Sequence, residues 1–269
     1  MKKNDSINIQ HPEAWELLVS IRDRRVDYIL FTPSVANSLI MGNVAWLDDG
    51  LQALEDAVYD TPILLNEYKR VRVMVHSDHF VLFPSEVSDA DCLALVGKAF
   101  PADAGEAAVC ALPANEAKVA WLMPRGMQAF LSRTFNYPQV CHHLFPQCEH
   151  FTGLNHGDDV SRMFLNLEEE RMDLAVYRDG KMQCANSYHF TDYQDAVYFA
   201  LKAWRSYDLD QLTDELQLTG NRESCAALTP ELRKFVKHVM PAVYPAAAMR
   251  LGRNAMQAPL ELILLALCE

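Results

Sequence analysis

The sequence predicts an α/β protein of two lobes, each a mixed sheet flanked by helices, and three observations carry that expectation. Leu17 to Phe31 and Met163 to Tyr177 read as two copies of one hairpin, LLVSIRDRRVDYILF and MFLNLEEERMDLAVY. They share an Arg-x-Asp core, at Arg25 and Asp27 and again, 146 residues on, at Arg171 and Asp173. Each copy is followed by a third apolar run and then by a segment with helical spacing. Between the copies, strand and helix signals keep alternating with no Gly/Ser-rich or Pro-rich linker to mark a flexible joint.

In the first copy Leu17, Val19 and Ile21, then Val26, Tyr28 and Leu30, alternate with polar or outward residues, the period-2 signature of two half-buried strands. Ser38 to Trp46 reads as a third strand, and a helix starts near Asp48 with Leu51, Leu54, Ala57 and Val58 on one face. Val71 to His76 and Phe80 to Phe83 read as a hairpin closed by Ser77 and Asp78, and Asp89 to Phe100 as a short helix ended by Pro101. Lys118 to Met123 reads as a strand leading into a helix over Pro124 to Phe135. Its first position is Pro124, where a missing N–H costs nothing, and Met127, Phe130 and Leu131 face inward. The second copy repeats the register at Met163, Leu165, Leu167, Met172, Leu174 and Val176. It continues with a third strand over Met182 to Tyr188 and a helix from near Asp192 that turns Ala196, Val197, Ala200, Leu201 and Trp204 to one side. Leu216 to Thr219 is a strand stopped by Gly220, followed by a helix from about Pro230 to Val239 and a closing apolar helix, Leu260 to Cys268. Alternation alone forces apolar matches between any two amphipathic hairpins. The agreement of three strands, a helix and their spacing is what supports a duplication. The expected lobes are residues 1–150 and 151–269, with the closing helix packed in the second in preference to presenting an apolar face to another chain.

Composition narrows the function classes. Half of the 269 residues are apolar, enough for a proper core. Against 36 acidic residues stand 24 basic ones, and the net charge of −12 repels phosphate backbones and anionic lipid, so nucleic acid binding is not expected. The polar start MKKNDSINIQHPEAW has no apolar core of a secretory signal, and the run from Leu260 to Cys268 is too short to span a bilayer. A cytoplasmic protein is expected, with no membrane insertion. Seven cysteines without a C-x-x-C pair fit reduced thiols, most of them small core residues.

A duplicated β-β-β-α-β unit, with a glycine turn after a late strand and a closing apolar helix, resembles the ribonuclease H-like fold of the actin, sugar kinase and heat-shock chaperone superfamily of ATPases. Within it, the likeness is nearest to the actin-like cytoplasmic assembly proteins of type IV pilus and type II secretion machines. The segment NSYHFTDYQDAVYFALKAWRSYDLD followed by LQLTG also resembles an uncharacterised bacterial domain-of-unknown-function family grouped with that superfamily. The resemblance implies an acid and a glycine in each first hairpin turn, the acid for Mg²⁺ waters and the glycine for close approach of backbone N–H groups to phosphate. This chain instead has Ser20 and Arg22 in the first turn and Asn166 and Glu168 in the second. Glu168 would set a negative charge where phosphates sit, and two unit charges about 4 Å apart repel by about 4 kcal/mol at an effective dielectric of about 20. That is about a thousandfold in affinity. Of the family's glycine pair under adenosine, Gly220-Asn221 keeps half. If a nucleotide binds at all, the resemblance assigns the contacts to Arg22, Asn166 and Gly220. Otherwise Arg22 is a solvated charge and Gly220 a turn glycine of positive φ. The expected function is a non-catalytic binding or assembly scaffold with no cofactor and a protein partner, a second copy included. The alternative is an ATP-dependent ATPase or kinase-like enzyme with altered phosphate loops.

Other clusters point less far. CHHLFPQCEHFTGLNHGDD gathers zinc-type donors at Cys141, His142, His143, Cys148, Glu149, His150, His156, Asp158 and Asp159, but their spacing is unusual for a tetrahedral site and strand alternation splits them, so a His-rich surface loop is expected. A histidine-activated Cys141 nucleophile would lack an oxyanion hole and an orienting third group. His76 and His79 flank the Ser77-Asp78 turn, close enough to share a metal across a hairpin, but turn polarity accounts for them more cheaply. Asp192 and Asp195 fit an N-cap and an acidic first turn better than a carboxylate pocket. Tyr193, Tyr198, Phe199, Trp204 and Tyr207 are mostly at core spacing. No P-loop, G-x-G-x-x-G, H-E-x-x-H or G-x-S-x-G pattern occurs.

Overall fold

The computed structural model describes residues 9–101, 105–155, 159–168 and 170–268. Two compact units divide the chain: Met1–Ala111, Lys118–Pro146 and Pro245–Glu269 form one, Leu112–Ala117 and Gln147–Tyr244 the other.

In the first unit β1 (Glu16–Arg22), β2 (Arg25–Phe31) and β3 (Ile40–Ala45) form an antiparallel meander, and α1 (Leu51–Tyr59) follows, burying Leu54 and Val58. The strand β4 (Arg70–Val75) returns parallel to β1. Its expected hairpin with β5 (Phe80–Pro84) does not form, because β4 lies between β1 and a later strand while β5 belongs to a different sheet. His76 N continues the first ladder onto Ile21 O at 2.9 Å, and His79 O accepts from Leu122 N at 2.9 Å, so each end of the short connection is held by a distant strand. A separate three-stranded sheet, in the order β5, then β7 (Ala117–Met123), then β6 (Glu106–Leu112), is covered by α2 (Asp89–Ala99), whose Cys92 and Val96 pack on Ala120 and Leu122. The strand β6 has no counterpart among the elements expected from sequence. The helix α3 (Met127–Thr134) buries Met127, Phe130 and Leu131 as expected, but it begins after Gly126, at φ 86°, and not at Pro124. The Glu106 carboxylate accepts from Gly126 N and Gln128 N, a cap brought from another strand. The strand β8 (Gln139–His142) then pairs parallel with β4, completing the order β3-β2-β1-β4-β8.

The helix α4 (Leu144–Leu154) leads into the second unit, where the meander recurs as β9 (Arg162–Leu167), β10 (Arg171–Arg178) and β11 (Lys181–His189). The helix α5 (Tyr193–Ser206) buries Ala196, Val197, Ala200, Ala203 and Trp204 against this sheet. Of its aromatics, Phe199 stacks on Tyr188 with ring centroids 4.8 Å apart, whereas Tyr193 and Tyr198 are exposed. The strand β12 (Glu215–Gly220) lies parallel to β9. The helix expected over Pro230 to Val239 is displaced: α6 spans Arg222–Leu232 with Pro230 in its last turn, and Val239 lies in β13 (His238–Pro241), paired with Leu216. Asn221 starts α6 by accepting from Glu223 N and Ser224 N at 2.9 and 3.0 Å. The order β11-β10-β9-β12-β13, with its pairing directions, matches that of the first sheet.

The inner strands of both sheets are buried on both faces, not the one face that alternation implied. On the second sheet Phe151 of α4 stacks on Phe164 at 4.3 Å. On the first, the closing helix α7 (Leu260–Leu267) lies on β1 and buries Leu262, Ile263, Leu264 and Leu265. Its expected place in the second lobe is therefore corrected. A run of leucines carries no address, and polar contacts supply one: Arg72 donates to Leu265 O at 2.5 Å and to Cys268 O at 2.7 Å.

Candidate functional site

Register places the polar residues of each hairpin opposite one another, Ser20 with Asp27 and Asn166 with Asp173. All four are buried. A buried polar group is costly unless hydrogen-bonded, so each pair gathers partners.

In the first unit Ser20 Oγ donates to Glu261 Oε1 at 3.1 Å and lies 3.0 Å from His76 Nε2. Arg22 donates to the same Glu261 oxygen, which is 3.3 Å from His76 Nε2. Arg22 Nε is also 3.7 Å from Asp27 Oδ2, and Arg25 grips Asp27 with Nε and NH2 at 2.9 and 2.6 Å. His76 stacks on His143 with centroids 4.7 Å apart and planes 6° from parallel. Arg22, expected to contact phosphate if the resemblance held or otherwise to be a solvated charge, is thus engaged by two carboxylates.

In the second unit Asp173 accepts from Gln147 Nε2 and Ser187 Oγ, each at 2.8 Å, and from Asn166 Nδ2 at 3.4 Å. Arg171 bridges Asp173 and Glu168, at 3.4 and 3.3 Å. Asn166 and Gly220 come together. Gly220 has φ 94°, and a Cβ there would overlap Leu167 O and stand 2.7 Å from Asn166 Oδ1 and 2.8 Å from Leu167 N. Asn221 N donates to Leu167 O at 2.6 Å, and Ser224 Oγ donates to Glu168 O at 3.2 Å, sealing the turn. Beside it, burial raises the Cys225 thiol to about 11, so it stays protonated while facing Thr219 O at 3.3 Å.

The Cys141 to His156 stretch is not a surface loop: Cys141, His142, His143 and Cys148 are buried, while His156 and Asp158 lie outside the described residues. His142 Nε2 meets Ser77 O at 2.9 Å and its ring lies 4.7 Å from that of Phe80. Glu149 accepts from Ala114 N at 3.1 Å and Asn115 Nδ2 at 3.2 Å. Burial pushes the Cys141 thiol well above its ordinary value, opposite to what a nucleophile needs. His79 packs its ring on that of Phe100, with centroids 4.9 Å apart. Asp192 and Asp195 form the capping box of α5.

The sequence pattern of the family described as protein of unknown function DUF3822 matches residues 4–239. The chain belongs to this family. No curated protein matches it in sequence. Among solved structures, this DUF3822 chain is similar to a Bacteroides thetaiotaomicron protein with actin-like ATPase fold and unknown function, at a TM-score of 0.79 and 20% identity, covering 96% of this chain and 97% of that one. It is also similar to a chain of the PilM-PilN type IV pilus biogenesis complex, at 0.49 and 13%, covering 95% and 98%. Similarity to the ethanolamine utilization protein EutJ from Carboxydothermus hydrogenoformans stands at 0.43 and 9%, covering 93% and 89%. The first of these shows the fold: the DUF3822 chain has the actin-like ATPase fold, with a mixed sheet flanked by helices in each unit.

Residues missed from sequence are those that complete the two networks: Glu261 and His76 in the first, Gln147 and Ser187 in the second. One signal was present. Glu261 is the only charged residue of LELILLAL, and a lone acid in an apolar helix implies a buried partner.

Proposed function

We propose that this chain is a non-catalytic member of the actin-like fold that works as a binding or assembly protein in the cytoplasm, descended from a duplicated half. The observation that carries this reading is the occupation of both first-hairpin positions by the chain's own side chains. Ser20 and Arg22 hold Glu261, while Asn166 and Arg171 hold Asp173. Gly220 is accounted for by the close approach of Leu167. The partner is a protein, either a second copy or a different chain. A net charge of −12 disfavours nucleic acid, and no helix among the described residues is long and apolar enough to cross a membrane.

Thermal melting with and without Mg-ATP tests the reading. A ligand at about a hundred times its Kd stabilises a fold by about 2.7 kcal/mol. The expected outcome is no shift with Mg-ATP; a clear rise would establish instead a nucleotide site built on altered contacts at Arg22, Asn166 and Gly220.

A further inference from the structure

Two donors, Ser20 and Arg22, meet on one carboxylate oxygen at the end of the first hairpin, with an imidazole nitrogen of His76 beside them. Ser20 Oγ lies 3.1 Å from Glu261 Oε1, His76 Nε2 lies 3.3 Å from it, and an Arg22 NH2 group completes the set. A hydroxyl, an imidazole and a guanidinium meeting at one point form the kind of polar set that binds an oxyanion. The side chains of His76 and Glu261 are 4% and 2% exposed, so these contacts are largely shielded from water. Asp27, a second acid near Arg22, is itself gripped by Arg25.

We propose that Ser20, Arg22 and His76 form an oxyanion receptor whose resident ligand is the Glu261 carboxylate, so that the C-terminal helix closes the first hairpin by supplying the anion itself. The inference deepens the non-catalytic reading and rests on it. The fit explains why a single acid stands in LELILLAL, where an uncompensated charge would be strongly disfavoured. It also implies that a free anion is outcompeted in the intact chain. The carboxylate is tethered, and the four residues after it are buried, so its effective concentration at the receptor exceeds that of any small anion in solution. The site is therefore silent in the native protein and opens when the carboxylate is removed. Its ligand class is the small oxyanion, carboxylate or tetrahedral.

Melting of Glu261→Ala in acetate, compared with chloride at equal ionic strength, reads the receptor directly. Acetate should raise the melting temperature of Glu261→Ala by about 5 °C or more, and should leave the wild type and the Glu261→Ala/Arg22→Met double variant unmoved. No rise in Glu261→Ala, or an equal rise in the wild type, overturns the receptor. Should Glu261→Ala fail to fold, the cycle of Arg22→Met, Glu261→Met and their combination decides: the double variant should melt above the Arg22→Met single, which buries the carboxylate without its guanidinium, and additive losses would reject the pairing. A Mg-ATP shift in the wild type would remove the non-catalytic reading while leaving the acetate result to stand or fall separately.

Discussion

Asp27 and Asp173 are the residues on which each hairpin turns. Each sits two positions after an arginine, faces a small polar residue across the ladder, and is buried. The Arg-x-Asp pattern was visible in the chain, but Gln147 and Ser187, which donate to Asp173, and Glu261, which accepts from Ser20 opposite Asp27, were not, because they arrive from other elements and follow no sequence period. Gly220 belongs to the same scale. Its φ of 94° strains any L side chain, and the overlap of a Cβ with Leu167 adds to that. Gly50 has nearly the same φ, 97°, yet a methyl group added there would meet nothing within 4 Å. Gly220→Ala should therefore lose about 2–4 kcal/mol in urea unfolding, and Gly50→Ala about 1 kcal/mol. Equal losses would show that backbone strain alone requires the glycine.

At the scale of elements, caps decide where helices start. Asp192 and Asp195 are read correctly from sequence because a capping box is local: Asp192 Oδ1 accepts from Gln194 N at 2.9 Å and Asp195 Oδ2 from Asp192 N at 3.4 Å. Asp192→Ala should cost about 1 kcal/mol, measured by thermal unfolding. The start of α3 is misplaced by the same reasoning because its cap, Glu106, comes from a strand about 20 residues away. Proline misled in the case of α6. Pro230 looks like a first-turn residue, yet Asn221 begins the helix nine positions earlier and Val239 is claimed by the ladder with β12. Likewise β4 and β5 looked like a hairpin because two short apolar runs flank Ser77 and Asp78. Which strand lies beside each is a matter of sheet order, not of turn length.

For the whole molecule, the C-terminal segment is an element on which the first unit depends. Leu262, Ile263, Leu264 and Leu265 are each at most 1% exposed, and burying such side chains contributes about 1.5–3 kcal/mol apiece. Together that rivals a typical total stability of about 5–15 kcal/mol. Deleting residues 245–269 should abolish the folded first unit, seen as loss of its protease resistance. The response to pH is a second whole-molecule property. Burial lowers the His150 pKa from its ordinary 6.5, partly opposed by a hydrogen bond with the Val243 backbone. The unfolded chain then takes up that proton first, so the stability His150 contributes is present above 6.5 and is lost as pH falls through that value toward the lowered one. Burial acts oppositely on neighbouring Glu149, raising its pKa above 4.5, so its stabilising term is present below 4.5 and lost as pH rises through the raised value. His150→Gln should therefore lose less stability than the wild type between about pH 7.5 and about pH 5.5 in denaturant melts. A parallel fall in both would place the dependence elsewhere.

Local periodicity was enough to mark both meanders, α1, α2, α5 and the closing helix, because alternation and 3.6-residue spacing depend only on neighbours in the chain. The resemblance to the actin-like superfamily, and not periodicity, implied an acid and a glycine at the turns where Ser20, Arg22, Asn166 and Glu168 stand. Contacts between residues far apart in sequence settled the rest: that β5 leaves the first sheet, that the inner strands are covered on both faces, and that α7 lies on β1 with Glu261 among Ser20, Arg22 and His76. The hydrophobic effect draws an apolar helix to any open sheet without discriminating between them. The choice falls to the few directional groups, here a carboxylate and Arg72, whose partners exist only once the chain has folded.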